Sequence, residues 1–302
     1  MDLRQLRCFV AVAEELHFGR AALRLSMLPA ALGRNVQLLE EALGTRLLAR
    51  TTRSVVLTDD GRQLLDDARG LLAHADEVEK RFRARARGGA RVLRLGAIDS
   101  ASAGLVPPLL RDFRQRQPDV VVNLVEDKTI RMLPWLLSGR LDLALVRPPE
   151  KADPAIETMF LLHETAVVAV PEHHPLARRR KLAIRDLAEE TLIVPDRHSR
   201  PHSHDLTIEL LARAGVTAEV AHIAEEKATI VNLVAANLGV AIVPRWTSRL
   251  RVAGVRYLPL ADGAETNRLP LAAAWAAGTR DPLRDAMLAT LRARLAVYAA
   301  QA

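Results

Sequence analysis

Hydrophobic positions recur along this chain with two different periods, and the change falls near Val92. Before it the period is helical. Leu6, Phe9, Val10 and Ala13 form one apolar stripe, and Asp2 with Gln5 three residues on makes a capping box at its start. Ala21, Ala22 and Leu25 mark a second short helix. After a break at Ser26 to Pro29, Leu32, Val36, Leu39 and Leu43 recur at spacings of 4, 3 and 4, which predicts a third helix ended by Gly44. At about 100° per residue its polar face carries Ala30, Arg34, Gln37 and Glu41, with Asn35 and Gly33 on the flank. Val55 and Leu57 then alternate with polar neighbours, which suits a short β-ribbon bearing Arg50, Thr51, Thr52 and Arg53. Two helices, a tight break, a third helix and a ribbon predict a winged helix–turn–helix whose third helix enters a DNA groove.

A long helix follows from about Asp59 to Arg87, with Thr58 as its cap. Leu64, Ala68, Leu71, Ala75, Val78 and Phe82 recur in it at spacings of 4, 3, 4, 3 and 4. Such a heptad seam suits pairing with a second copy, and the same pattern suits one helix packed on its own domain. Gly88-Gly89 reads as a hinge.

From Val92 onwards short apolar runs alternate with helical stretches. Strands are expected at 92–98, 120–125, 143–146, 166–170, 192–194, 218–223 and 241–243. Helices are expected at 105–116, 129–137, 204–214, 226–236 and 283–298, with Ser100 to Gly104 and Pro201-His202-Ser203 as loops. Alternation of this kind predicts parallel-sheet α/β lobes.

Charge sharpens the picture. Net charge is +7, and between Phe18 and Thr58 six arginines face only Glu40 and Glu41. Between Lys80 and Arg94 there are seven basic residues and no acid. A basic N-terminal third suits a polyanion. The single cysteine, Cys8, lies on an apolar helix face and reads as buried filler in a reducing compartment. No run of 18 apolar residues is present and the N-terminus lacks a signal-peptide pattern, so a cytoplasmic protein without a membrane partner is expected.

The first sixty residues resemble the winged helix–turn–helix of LysR-type transcriptional regulators. The residues that carry this are Asp2-Leu3-Arg4-Gln5-Leu6, Phe9, Val12-Ala13-Glu14, Phe18, Ala21-Ala22, Leu25, Leu39-Glu40, Leu43-Gly44, Leu47, Arg50-Thr51-Thr52-Arg53, Leu57-Thr58 and Gly61. Later segments resemble the family's effector-binding half: Ser138 to Ala144, His173 to Ala177, Val234 to Ala236, Gly239-Val240 and Val243-Pro244. The resemblance implies an α/β chain with an all-α winged N-terminal domain, a linker helix, and two Rossmann-like lobes similar to periplasmic binding proteins. It implies a DNA-binding domain at 1–58, a dimerisation helix and hinge at 59–90, and an effector domain at 91–302. Lobe I would take 91–164 and 269–302, and lobe II 165–268. Expected partners are double-stranded DNA, a further copy or three of the chain, RNA polymerase and a small-molecule effector, with no cofactor or metal and no enzymatic activity.

One segment departs from the family pattern. Where relatives open the recognition helix with Ser-Gln-Pro-Ala-Leu-Ser, this chain has Leu28-Pro29-Ala30-Ala31-Leu32-Gly33. Leu28 at the cap costs roughly 1 kcal/mol against Ser, and Gly33 about another 1 kcal/mol of helix propensity. Phosphate contacts are expected to survive, through Arg34, Asn35, Gln37 and the wing, while base readout is altered or weakened.

Ligands of open α/β sheets bind beyond the strand C-termini, where helix N-termini converge. Ser100, Thr129, Pro201, His202 and Ser203 fall at such turns, and by alignment these positions with Arg147 and Glu226 match the effector site of regulators of aromatic catabolism, which implies a small carboxylate. Asp99 and Asp127 flank the same place and would repel an anion unless Arg147 or Lys128 balances them, so a neutral ligand is the alternative. His198, His202 and His204 have no standard zinc spacing, and no nucleophile elbow or phosphate loop is present. A solute-binding protein and an α/β enzyme are the alternatives: the first leaves the basic N-terminus unused, the second needs a convergent acid, base or nucleophile.

Overall fold

The computed structural model describes residues 1–50, 55–86, 91–149, 151–261 and 266–302. The chain forms two compact units, Met1–Gly89 and Ala90–Ala302. The first holds α1 (Leu3–Glu15), α2 (Phe18–Arg24), α3 (Pro29–Leu43), β1 (Leu48–Arg50), β2 (Val55–Leu57) and α4 (Asp59–Ala86). The capping box of α1 is made: the Gln5 N–H donates to Asp2 Oδ1 at 2.8 Å and the Asp2 N–H donates back to Gln5 Oε1 at 3.0 Å. Leu32, Val36 and Leu39 of α3 are buried with Leu6, Phe9 and Val12. Leu43, read as the end of that stripe, is exposed because Gly44 turns the chain away at φ 68°. Leu28 caps α3 with no side-chain hydrogen bond. Cys8 is buried, with its thiol 3.8 Å from Met27 Sδ, and burial pushes its pKa up.

The ribbon pairs Leu48 with Leu57 and Arg50 with Val55, antiparallel. Glu40 fixes its entry, because one carboxylate oxygen accepts the N–H groups of both Leu47 and Leu48, at 2.9 and 3.1 Å. Helix α4 starts where expected, with Thr58 Oγ1 accepting the Gly61 N–H at 3.0 Å. Its first half is fastened to its own domain. Arg69 reaches Glu14 at 2.8 Å and Arg7 reaches Asp76 at 2.6 Å. Hydrogen bonds from Arg69, then Arg24, hold the Glu14 carboxyl below its ordinary pKa. This corrects part of the heptad seam: Ala68 is fully buried in the core of α1 and α3, and Leu64 packs against that core, so these two positions are covered within the chain. Leu71 is exposed, and Ala75 and Val78 are half-buried. The side chain of Phe82 and the Gly88-Gly89 hinge lie outside the described residues.

The second unit folds as two lobes. Lobe I is built on β3 (Arg91–Ala97), α5 (Asp99–Gly104), α6 (Val106–Arg116), β4 (Val120–Glu126), α7 (Thr129–Leu137), β5 (Leu143–Val146) and β6 (Ile156–Glu164). Lobe II follows with β7 (Ala166–Pro171), β8 (Thr191–Pro195), α8 (Pro201–Arg213), β9 (Glu219–Ala224), α9 (Lys227–Ala235), β10 (Ala241–Pro244) and β11 (Val255–Pro259). The chain then returns to lobe I with β12 (Leu269–Ala276) and α10 (Pro282–Ala299). In lobe I the order is β4-β3-β5-β12-β6, and lobe II has β10-β7-β11 and β8-β9.

The expectation of parallel sheets holds only in part. β3 pairs parallel with β4 and β5, and β8 with β9, but β12 runs antiparallel to both its neighbours, and so does β7. Strands that carry the chain between lobes enter against the direction of the βαβ units. Three of these strands, β6, β11 and β12, had no signal strong enough to predict. Ser100 to Gly104 is helical rather than a loop, and Pro201 to Ser203 is the first turn of α8, because Pro at the first helical positions continues directly into it.

Two glycines of the first unit give opposite expectations. A Cβ on Gly61 would stand 2.1 Å from the Leu47 carbonyl oxygen, whereas on Gly33 it meets nothing within 4 Å. Gly61→Ala should destabilise the first unit by about 1–3 kcal/mol. Gly33→Ala should stabilise it by about 1 kcal/mol. Hydrogen exchange of the α1 and α3 amides reads both changes, as faster and slower exchange respectively.

Candidate nucleic-acid interface and ligand cleft

Helix α3 turns Ala30, Arg34, Gln37 and Glu41 to solvent, opposite its buried stripe. Gln37 donates to Glu41 at 2.8 Å, and Asn35 donates to the Ala31 carbonyl one turn back at 2.8 Å. Arg34 is therefore the cationic side chain that this face offers to a phosphate or base. Arg50 lies on β1, its side chain outside the described residues, as are Thr51, Thr52 and Arg53 altogether.

In the second unit a cavity of about 680 Å³ opens between the lobes, beyond the C-terminal ends of β3, β4, β5, β8 and β9. Ser100, Thr129, Arg147, Pro201, His202 and Ser203 all line it, and Glu226 stands at its rim as the residue preceding α9. Ile98, Ile130, Leu133, Pro148, Pro149 and Pro244 supply the apolar wall. The first turns of α7, α8 and α9 all meet here, and none carries a side-chain cap. Uncapped helix N-termini present free N–H groups and the positive end of the helix dipole.

Charged groups around the cavity are paired, mostly across it. Lys128 is buried and reaches both Glu225 and, at 2.8 Å, Glu226 of lobe II. Burial alone would lower its pKa, but these two carboxylates raise it above the ordinary value. Arg200 of lobe II reaches Asp99 of lobe I at 3.0 Å and Glu226 at 3.1 Å. His202 Nε2–H donates to the Pro148 carbonyl at 2.6 Å, the role its partner dictates because a carbonyl only accepts. At the floor Arg147 is buried against Glu164, and also donates to Ser100 Oγ at 3.2 Å and to the Leu269 and Pro270 carbonyls, both at 3.0 Å.

Comparison with known proteins fits this architecture at both ends. Residues 3–62 match the model of the bacterial regulatory helix–turn–helix protein, lysR family. Residues 86–296 match that of the LysR substrate binding domain. The chain belongs to the LysR family of transcriptional regulators. It is 54% identical, over the whole length of both chains, to the HTH-type transcriptional regulator TtuA of Agrobacterium vitis. The crystal structure of full-length CbnR complexed with its target DNA superposes with a TM-score of 0.80 at 27% identity, covering 97% of this chain and 99% of that one. The effector-binding domain of BenM with its effector benzoate gives a TM-score of 0.59 at 26% identity over 68% of this chain and 93% of that one.

Within this LysR-family cleft three expectations need correction. Arg147 is not a free counter-charge for an anion, since Glu164 neutralises it and the carbonyls of the returning strand occupy it. Lys128 and Arg147 do not balance the two aspartates. Asp99 is held by Arg200, and Asp127 lies 3.6 Å from Arg131 while its side chain accepts the Lys128 N–H. Glu226 is exposed and belongs to the cross-lobe ion pairs rather than to the cavity lining.

The residue that sequence reading missed is Lys227. It opens α9, lines the cavity, is 2% exposed, and its Nζ has no hydrogen-bond partner among the described residues. Burial, set against the nearby Asp99, lowers its pKa to about 7. A signal was present: a cation at the first position of an apolar helix opposes the helix dipole. Unfolded, this amine titrates near 10.5, so below that pH the folded state binds fewer protons, and stability from this group rises with pH between about 7 and 10.5. Lys227→Met should therefore raise the thermal midpoint of the second unit at pH 7, and the gain should shrink as pH climbs towards 10. Calorimetric scans across that range measure it.

Proposed function

We propose that the chain regulates transcription from DNA by laying α3 in the major groove and the ribbon on the adjacent backbone, under control of a small acid bound between lobes I and II. The observation that carries the ligand half is the meeting of three uncapped helix N-termini at one 680 Å³ cavity. Ser100, Thr129, Pro201, His202 and Ser203 line it. BenM, whose effector is benzoate, supports a carboxylate of similar size. The DNA half rests on Arg34 and the wing residues Arg50 to Arg53, with residues 1–58 as the DNA-binding domain, 59–90 as the linker and 91–302 as the effector domain. Leu71, Ala75, Val78 and Phe82 are the positions on α4 that a second copy would cover, placing two recognition helices on two half-sites. The relatives are named as regulators, which supports a cytoplasmic protein with no catalytic role of its own.

Footprinting on DNA upstream of the chain's own gene, with and without candidate carboxylates, tests both halves. Protection should appear over two half-sites about one helical turn apart or a multiple of it, and change when the effector is added. Affinity should fall steeply with salt, by about one logarithmic unit per logarithmic unit of salt for each phosphate contacted. Gly33→Ser and Leu28→Ser together should tighten sequence-selective binding, by up to about tenfold for each 1.4 kcal/mol recovered. Binding that is selective and unchanged by the pair would refute the weakened-readout reading.

A further inference from the structure

Two buried lysines of the cleft have opposite fates. Lys128 has carboxylates on it from the other lobe, and Lys227 Nζ has no hydrogen-bond partner among the described residues. An ammonium at this second place meets three unfavourable conditions at once. It is desolvated, it has no hydrogen-bond acceptor, and it stands at the positive end of α9. Such a group serves no purpose in the fold, where an apolar side chain of the same length fits better. Nearby Ser199 repeats the pattern, with a buried hydroxyl that lines the same cavity and has no partner. Asp99 Oδ2 is a buried acceptor of the same lining without a hydrogen bond, but Arg200 approaches it at 3.0 Å; the two orphaned donors mark where the acceptor atoms of a ligand belong.

We propose that Lys227 is the anchor for the acidic group of the effector, and that the effector is a small carboxylate whose apolar body lies against Ile98, Ile130 and Leu133. This rests on the reading of the cleft as the effector site. It moves the counter-charge from Arg147, which Glu164 already holds, to an amine that no protein group holds.

A second property follows from the same geometry. The groups that act on the Lys227 amine are Asp99 at the start of α5, Arg147 after β5, Glu164 at the end of β6 and Arg200 before α8. His198, His202 and Asp205 line the same cavity. Burial lowers the pKa of this amine to about 7. A carboxylate brings the missing negative charge and restores the ammonium, so one proton is taken up from solution with each ligand bound at alkaline pH.

The experiment is titration calorimetry of the full chain with acetate, succinate, malate, benzoate and cis,cis-muconate, and with the matching amides of succinate and benzoate. Each is run on wild type, on Lys227→Met, and on Ile130→Trp, which fills the cavity without touching charge. At least one acid should bind wild type while its amide does not. Lys227→Met should weaken that acid by about 10–100-fold. Repeating the titration in buffers of different ionisation enthalpy should give an uptake of about one proton at pH 8 and close to none at pH 6. An acid that binds Lys227→Met as well as wild type overturns the anchor, as does proton uptake that is absent at pH 8 or binding by none of the acids. A ligand that Ile130→Trp blocks but Lys227→Met does not leaves the cleft as the effector site and removes only Lys227 from it. A ligand indifferent to Ile130→Trp sits elsewhere and overturns the cleft reading itself.

Discussion

The second unit depends on one buried ion pair. Arg147 follows the lobe I strand β5, and Glu164 ends β6 at the point where the chain leaves lobe I. Glu164 is completely buried, and its carboxylate also accepts the Ser100 hydroxyl at 3.0 Å and the Trp246 N–H at 2.8 Å. Arg147 reaches the carbonyls of Leu269 and Pro270, where the chain comes back. The outward and returning strands are thus tied through one pair of charges, and Asn267 adds a second tie by exchanging hydrogen bonds of 2.8 and 2.9 Å with the Ala166 backbone. Desolvating two charges is costly, and the bonds to Ser100, Trp246, Leu269 and Pro270 offset that cost here. The relation between the lobes, and with it the width of the cleft, is set at this floor.

Above that floor the cleft is held by contacts of a different kind. The pairs Lys128 with Glu225 and Glu226, and Arg200 with Asp99, join lobe to lobe near solvent, where Glu225 and Glu226 are more than half exposed, and Arg200 also holds Glu226 within lobe II. Exposed ends of ion pairs are worth little each and exchange readily. A buried hinge with partly exposed cross-lobe pairs is the arrangement in which a ligand can bias how the lobes meet without disturbing either core. The cores are separate, since one apolar cluster fills lobe I and two others lie on the two faces of lobe II.

Much of the first unit was legible because its determinants are local. The capping box of Asp2 and Gln5, the stop at Gly44, the ribbon alternation at Val55 and Leu57, and the Thr58 cap each involve residues within a few positions of one another. The heptad seam was legible as a pattern but not as an assignment. Spacing says that Leu64, Ala68 and Leu71 share a face, and only packing says that α1 and α3 have already covered Ala68. In the lobes, β12 was missed because its run from Leu269 to Ala276 is mostly small residues with little β-preference of their own. It becomes a strand through antiparallel pairing with β5 and β6.

By itself the sequence determined the winged helix–turn–helix, the family, most helices and the turns that face the cleft, because periodicity, capping and charge placement are written in neighbouring residues. Which charges are spoken for was decided only by the tertiary structure. Arg147, Lys128 and Lys227 are all cations just beyond strand ends, and nothing in their neighbours says which of them a distant carboxylate reaches. Glu164 lies 17 residues from Arg147, and Glu225 lies 97 from Lys128. Among the described residues none accepts a hydrogen bond from Lys227 Nζ, and that is a property of the folded cleft that no local pattern encodes.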